Sequence, residues 1–181
     1  DVYKRQVKER ETMEFKIEKN ATASKESFLM IIDVLSELNI PYWVEGGWGI
    51  DVLIGNQTRE HRDIDIDFDA VFEGLLMDKL EEIGYQITTD CRPTRVELYH
   101  PMHGYIDIHP LIISESGNAK QANPEGGWFD LEAKWFSEST FEGRIIPCIS
   151  VEGQRLFHSG YELREIDNAD LKRLNDTFPQ K

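Results

Sequence analysis

Four aspartates recur at every second position, Asp63, Asp65, Asp67 and Asp69, with Ile64, Ile66 and Phe68 between them. The alternation predicts a strand, because successive side chains on extended backbone point to opposite faces. The apolar set suits a core and leaves four carboxylates on the other face, neighbours there standing about 6 to 7 Å apart. Aspartate is depleted in strands and a row of like charges repels itself, so the arrangement asks for a cation. Oxygen-only donors favour a hard ion, and Mg2+ commonly takes one or two carboxylates together with substrate phosphates. The strand reads as a metal platform.

The same period of two applies further on. In Tyr105-Ile106-Asp107-Ile108-His109 the isoleucines share one face, and Tyr105, Asp107 and His109 share the other. In Arg95-Val96-Glu97-Leu98-Tyr99, Glu97 lies opposite Val96 and Leu98. If these strands neighbour the aspartate strand, carboxylates from three strands converge on one wet face, which suits metal-assisted phosphoryl chemistry. Gly46-Gly47 stands between a short apolar stretch and a helical one, where backbone can approach a phosphate and free N–H groups are presented. Trp48 and Asp51 follow that turn closely enough to reach a nucleotide. Arg59, His61 and Arg62 lie just before the aspartates, ready to meet further phosphate charge.

The elements that must hold these residues are legible in outline. Ser24 caps an amphipathic helix reaching Leu38, and Tyr42 to Val44 reads as a strand that the glycine pair breaks. Trp48 to Ile54 reads as a short helix ending at Gly55, and Val71 to Ile83 as an amphipathic helix carrying Leu75, Leu76, Leu80 and Ile83. Tyr85–Thr89, Thr94–Tyr99 and Tyr105–Ile113 are expected as strands, and residues 114–127 as loop. Trp128–Phe136 and Arg144–Ile149 are expected as edge strands, with helices starting at Ser150 and Asp167. Helix, mixed strands and then C-terminal helices imply an α+β class. The domain reading is a core at 13–149 and a helical segment at 150–181 packed on it.

Composition bounds the rest. The 181 residues, 40% hydrophobic and 10% aromatic, suit one folded domain rather than a disordered chain. A net charge of −14 argues against a nucleic-acid partner, while it would draw a cationic small substrate into a cleft. The apolar runs are too short to span a membrane, and no leader resembling a signal peptide precedes them. Two cysteines, Cys91 and Cys148, imply no disulfide framework, so a cytoplasmic location is expected. Residues 1–12 stand apart. Asp1-Val2-Tyr3-Lys4-Arg5-Gln6 reads as the translation of a sequencing adapter, with a natural start near Met13, or else as a charged tail.

Gly46-Gly47-Trp48-Gly49-Ile50-Asp51 followed by Arg59-Glu60-His61-Arg62-Asp63-Ile64-Asp65 resembles the signature of the nucleotidyltransferase superfamily. Tyr105 to Pro110, Gln121 to Gly127, Ile146 to Ser150 and Phe157 to Tyr161 extend the likeness to its antibiotic-modifying branch, the small lincosamide nucleotidyltransferases. The resemblance implies a nucleotidyltransferase-type mixed sheet flanked by helices. It also implies transfer of AMP from ATP to a hydroxyl of lincomycin or clindamycin, with Mg2+ required and pyrophosphate released. Position by position, Asp63 and Asp65 would hold Mg2+, Asp107 would be a further ligand or the general base, and Glu97 competes for the base. Gly46, Gly47, Trp48, Arg59 and His61 are the expected nucleotide contacts. Many members carry Ser where this chain has Gly47, which removes a hydroxyl and leaves backbone N–H groups to hold phosphate. Relatives often pair so that two chains build each drug pocket, and an acidic monomer is equally compatible with the composition. The rival readings are an aminoglycoside adenylyltransferase and, from another class, an antitoxin-like protein of this fold that binds a partner without catalysis.

Overall fold

The computed structural model describes residues 21–180, so the adapter-like segment and the expected start at Met13 lie outside the described residues. Helix α1 (Lys25–Glu37) begins where Ser24 Oγ accepts a hydrogen bond from the Ser27 N–H, and it buries Phe28, Ile31, Ile32 and Leu35. Strand β1 (Tyr42–Glu45) runs directly into α2 (Gly46–Ile54), which Gly55 ends at φ 101°. Strand β2 is Asp63–Asp69. One 3-10 turn, Ala70–Phe72, precedes α3 (Glu73–Ile83). Four strands follow, β3 (Gln86–Cys91), β4 (Arg95–His100), β5 (Gly104–Ile113) and β6 (Ala119–Ala122). Then come β7 (Trp128–Leu131), β8 (Phe136–Phe141), β9 (Arg144–Ile149), α4 (Val151–Phe157) and α5 (Glu165–Thr177). No helix among the described residues is long and apolar enough to cross a membrane.

Nine strands form one mixed sheet in the order β3-β4-β5-β2-β1-β9-β8, with β6 pairing beyond β5 and β7 beyond β6. Strand β2 sits at its centre, parallel to β5 and antiparallel to β1. Ile64, Ile66 and Phe68 are completely buried, in one core with Phe28, Ile32 and Leu35 of α1 and Leu76 and Leu80 of α3. Burying such a side chain is worth about 1.5–3 kcal/mol, which more than covers the poor strand preference of the aspartates between them. The assumed neighbour relation holds: Asp65 pairs with Asp107 on β5, and Asp107 with Glu97 on β4.

Several expectations are corrected. The glycine pair is the first turn of α2 rather than a break ahead of it. The stretch 114–127 is not all loop: Ala119–Ala122 pairs with β5 and β7, although Ala-Lys-Gln-Ala carries no β-branched residue to announce it. Trp128–Phe136 is not one strand, because a 3-10 turn at Ala133–Trp135 splits it and starts β8 at Phe136. Strand β9 lies between β1 and β8, so it is no edge. On α3, Leu75 faces solvent while Met77 takes a place in the core.

Candidate functional site

The turn from β1 into α2 is pressed against the aspartate strand. Gly46 has φ +60°, and a Cβ there would stand 3.0 Å from Asp65 Cγ and closer still to Oδ2. Only glycine permits both the left-handed backbone and that approach. The residue ahead of the helix, Glu45, makes no side-chain cap, so no side chain of the N-cap covers the first-turn N–H groups of α2. A Cβ at Gly47 would lie 2.6 Å from His61 Nδ1 and nearer to Arg59 Nη2. These two side chains support the turn from behind. His61 is buried and pairs through Nε2 with Asp51 Oδ2 at 2.6 Å, and Asp51 also accepts from the Thr58 N–H at 3.0 Å. Arg59 donates to both oxygens of Asp170 on α5, at 2.8 and 2.6 Å. Burial raises the Asp170 carboxyl, but Arg59 and Arg173 outweigh it and hold the group below the usual range.

Of the residues expected near the nucleotide, Trp48 and His61 have buried side chains and Arg59 is half-buried against Asp170. The Trp48 ring is 1% exposed and stacks on Phe28 at 4.4 Å, and the His61 ring lies tilted against it at 4.5 Å. An apolar ring at this position completes the core, and only the backbone of α2 faces outward. Gly46, Gly47 and Asp65 are brought together; Trp48, Arg59 and His61 shape the turn that holds them.

The carboxylates line up across β2, β5 and β4. Asp107 Oδ2 accepts from Arg95 Nη1 at 2.5 Å, while its Oδ1 is buried with no hydrogen-bond partner. Burial pushes the Asp107 carboxyl up to about 6, and Asp65 adds to the rise against the pull of His109 and Arg95. Asp63 also rises above the usual carboxylate range through burial and the charge of Asp65, with Arg62 opposing at 2.9 Å. Glu97 is occupied: Thr88 Oγ1 donates to it at 2.9 Å and Arg62 Nη1 at 3.2 Å. Arg62 itself lies 3.8 Å over the Tyr105 ring.

Ligand atoms of Asp65, Asp107 and His109 all lie within 4.8 Å of one another. Oxygens dominate the row, one of them is orphaned, and the carboxylates repel one another, so this row of donors fits a hard divalent cation. Sequence reading missed one member of the neighbourhood and left the burial of another open. Glu45 was passed over, although its alternation with Val44 puts it on the carboxylate face, and Asp67, expected in one row with Asp63, Asp65 and Asp69, is 1% exposed. His109 joins them, with Nε2 3.7 Å from Asp65 Oδ1. Burial opposes a charge on its ring, but the closeness of Asp65, with Glu45 and Asp107, raises the imidazole to about 9.

Beside this row opens a cleft of about 650 Å3. Glu45, Gln121, Leu131, Trp135, Phe157 and Tyr161 are among its lining residues, so one wall is acidic and much of the remainder is apolar. Gln121 connects cleft and row, its side-chain amide standing 3.2 Å from His109 Nδ1.

A model of the aminoglycoside-2''-adenylyltransferase family matches residues 27–174. The chain is 49% identical over 156 residues to a lincosamide resistance protein of Staphylococcus haemolyticus, covering 86% of this chain and 97% of that one. Among solved structures it is similar to the lincosamide antibiotic adenylyltransferase LnuA with lincomycin bound, at TM-score 0.82 and 48% identity over 86% of this chain and 99% of the other. ANT(2")-Ia in complex with adenylyl-2"-tobramycin shares the fold, at TM-score 0.64 and 21% identity over 85% of this chain and 90% of that one.

Proposed function

The chain belongs to the aminoglycoside-2''-adenylyltransferase family, and from that premise we propose that it transfers AMP from ATP to a hydroxyl of a lincosamide such as lincomycin or clindamycin. The observation that carries the proposal is the contact between the two halves of the site. A glycine turn with free helix N–H groups abuts Asp65, and Asp65 faces Asp107 across β2 and β5. Phosphate-holding backbone and carboxylates therefore meet at one point, where a nucleotide α-phosphate and an acceptor hydroxyl can be brought in line. The choice of a lincosamide over an aminoglycoside is supported by the relatives: 49% identity over most of the chain on one side, 21% on the other.

Roles follow from position. Asp63 and Asp65 would hold Mg2+, which when bound would neutralise triphosphate charge and polarise the α-phosphate. The N–H groups at Gly46 and Gly47 receive phosphate oxygens. Asp107 takes the acceptor proton as the hydroxyl oxygen bonds to the α-phosphorus and pyrophosphate departs; its raised carboxyl and unpartnered Oδ1 suit a base better than Glu97, which two donors already occupy. Trp48, Arg59 and His61 act by holding the turn. The cleft beside Glu45 receives the drug, its apolar walls and acidic residues matching an amphipathic cation. ATP supply and the exposed free thiol of Cys91 fit action in the cytoplasm.

Purified protein given Mg-ATP and lincomycin should yield adenylylated drug and pyrophosphate. Asp65→Asn should yield none while keeping the wild-type circular dichroism spectrum. Near-wild-type turnover by that variant would remove the carboxylate row from the chemistry.

A further inference from the structure

Two residues beyond Asp65, strand β2 carries a second group of donors that adenylyl transfer leaves unused. Asp67 is 1% exposed, and neither of its carboxylate oxygens has a hydrogen-bond partner. Its register partner on β5 is His109, whose Nε2 is also unpartnered. Glu45, at the end of β1, completes the group: one ligand atom each from Glu45, Asp67 and His109 lie within 4.8 Å of one another. Glu45 and Asp67 face each other as two carboxyl groups, which bond to one another only while a proton is held between them.

Such a grouping is costly to bury empty. A carboxylate withdrawn from water needs hydrogen bonds, a paired cation or a metal, and among the described residues Asp67 is offered only the Glu45 carboxyl, which must keep a proton to bond to it, and the ring of His109. Past Asp65 the carboxylate face turns apolar: Trp43 is opposite Asp67 on β1 and packs on Phe136 at 4.5 Å, and Leu111 is opposite Asp69 on β5.

We propose that Glu45, Asp67 and His109 bind a divalent cation of the zinc type, at a site that adjoins the Mg2+ carboxylates Asp63 and Asp65 through His109. One imidazole and two carboxylates are the donor set of a borderline metal rather than of Mg2+, which prefers oxygen throughout. Three protein ligands leave an open position, and Glu45 lines the 650 Å3 cleft, so ion and position are reached from there. Gln121 can supply the outer support: its side-chain nitrogen stands 3.2 Å from His109 Nδ1, and with the amide turned over its oxygen would accept from Nδ1–H and leave the Nε2 lone pair free for the ion. Held this way, the ion would neutralise the acidic floor of the cleft and fix Glu45 beside the acceptor.

The test uses the full chain, stripped with chelator and titrated calorimetrically with Zn2+ in excess Mg2+, without nucleotide or drug. A failure of the adenylyl-transfer reading therefore leaves its outcome untouched. One Zn2+ per chain is expected, weakened at least tenfold in Asp67→Asn and in Glu45→Gln and unchanged in Asp63→Asn, with circular dichroism reporting the fold of each. Glu45→Gln decides the matter if Asp67→Asn does not fold. No Zn2+ uptake by the wild type in excess Mg2+, or equal uptake by the Glu45 and Asp67 variants, would overturn the site and leave a shared proton or an imidazolium ion as the partner of Asp67. Equal loss in Asp63→Asn would also overturn it, by merging the two sites into one.

Discussion

Replacing Gly46 by alanine tests how tightly the phosphate turn and the carboxylate row depend on each other. Two costs add. At φ +60° an alanine carries the left-handed penalty of about 1–2 kcal/mol. The new Cβ would also stand 3.0 Å from Asp65 Cγ, where carbon atoms prefer 3.5–4.0 Å, so the Asp65 carboxylate must move by about 1 Å. A displacement of that size in a reacting assembly costs about 100-fold in rate, or about 2.7 kcal/mol of transition-state stabilisation. The variant should thus lose about 1–2 kcal/mol in urea unfolding and about 100-fold in kcat/KM. Two controls separate strain from misplacement. Gly55→Ala carries the same kind of backbone strain at φ +101° but meets only the Thr140 carbonyl, at 3.3 Å, so it should lose stability and keep its rate. Gly74→Ala, on α3 with open space around it, should gain up to about 1 kcal/mol and keep its rate. A Gly46→Ala enzyme within threefold of wild type would refute the coupling of turn and carboxylate.

The remaining expectations concern charge. The Asp107 carboxyl is raised to about 6, so as a base it works only above that pH: kcat/KM should climb as pH rises through about 6, and Asp107→Asn should be slow at every pH with no such limb. A pH–rate limb that survives in Asp107→Asn would hand the role to Glu97. In metal-free protein the Asp67 carboxyl is raised from 3.8 to about 7, so the folded state holds a proton that the unfolded chain has released, and stability should fall as pH rises from about 4 to about 7. Asp67→Asn removes that decline, and at pH 8 in chelator it should exceed the wild type by up to about 4 kcal/mol in denaturant unfolding; a parallel pH profile for the two proteins would contradict the burial argument. Asp170→Asn releases Arg59 from the back of the glycine turn and should cost about 2–3 kcal/mol, the low end for a broken buried pair because Arg59 keeps some water contact. The same change should raise KM for ATP more than it lowers kcat, and an unchanged KM would mean that the turn holds its shape unaided.

The central strand and its register partners were legible because a period of two leaves little freedom once Ile64, Ile66 and Phe68 must be buried. Asp63, Asp65 and Asp107 follow from that alone, given the pairing of β2 with β5. What alternation cannot say is what covers each face. Asp67 shares a face with Asp65, yet apolar residues from β1 and β8 close over its surroundings, and that depends on pairings far apart in sequence. Glu45 escaped notice for the same reason, since its neighbours Asp67 and His109 come from other strands. For Trp48, Arg59 and His61, closeness in sequence to the glycine turn could not tell which way each side chain points: Trp48 stacks on Phe28 in the core, and Arg59 makes a bidentate bond to Asp170. Strand β6 was hidden because its pairing with β5 and β7, not its composition, makes it extended.

The most direct measurement offers the purified protein lincomycin and kanamycin together, in equal amounts, with Mg-ATP, and follows both drugs by mass spectrometry. The expected result is lincomycin carrying one AMP and kanamycin unchanged. AMP on kanamycin alone, or on neither drug while ATP still binds, would contradict the assignment of a lincosamide as the acceptor.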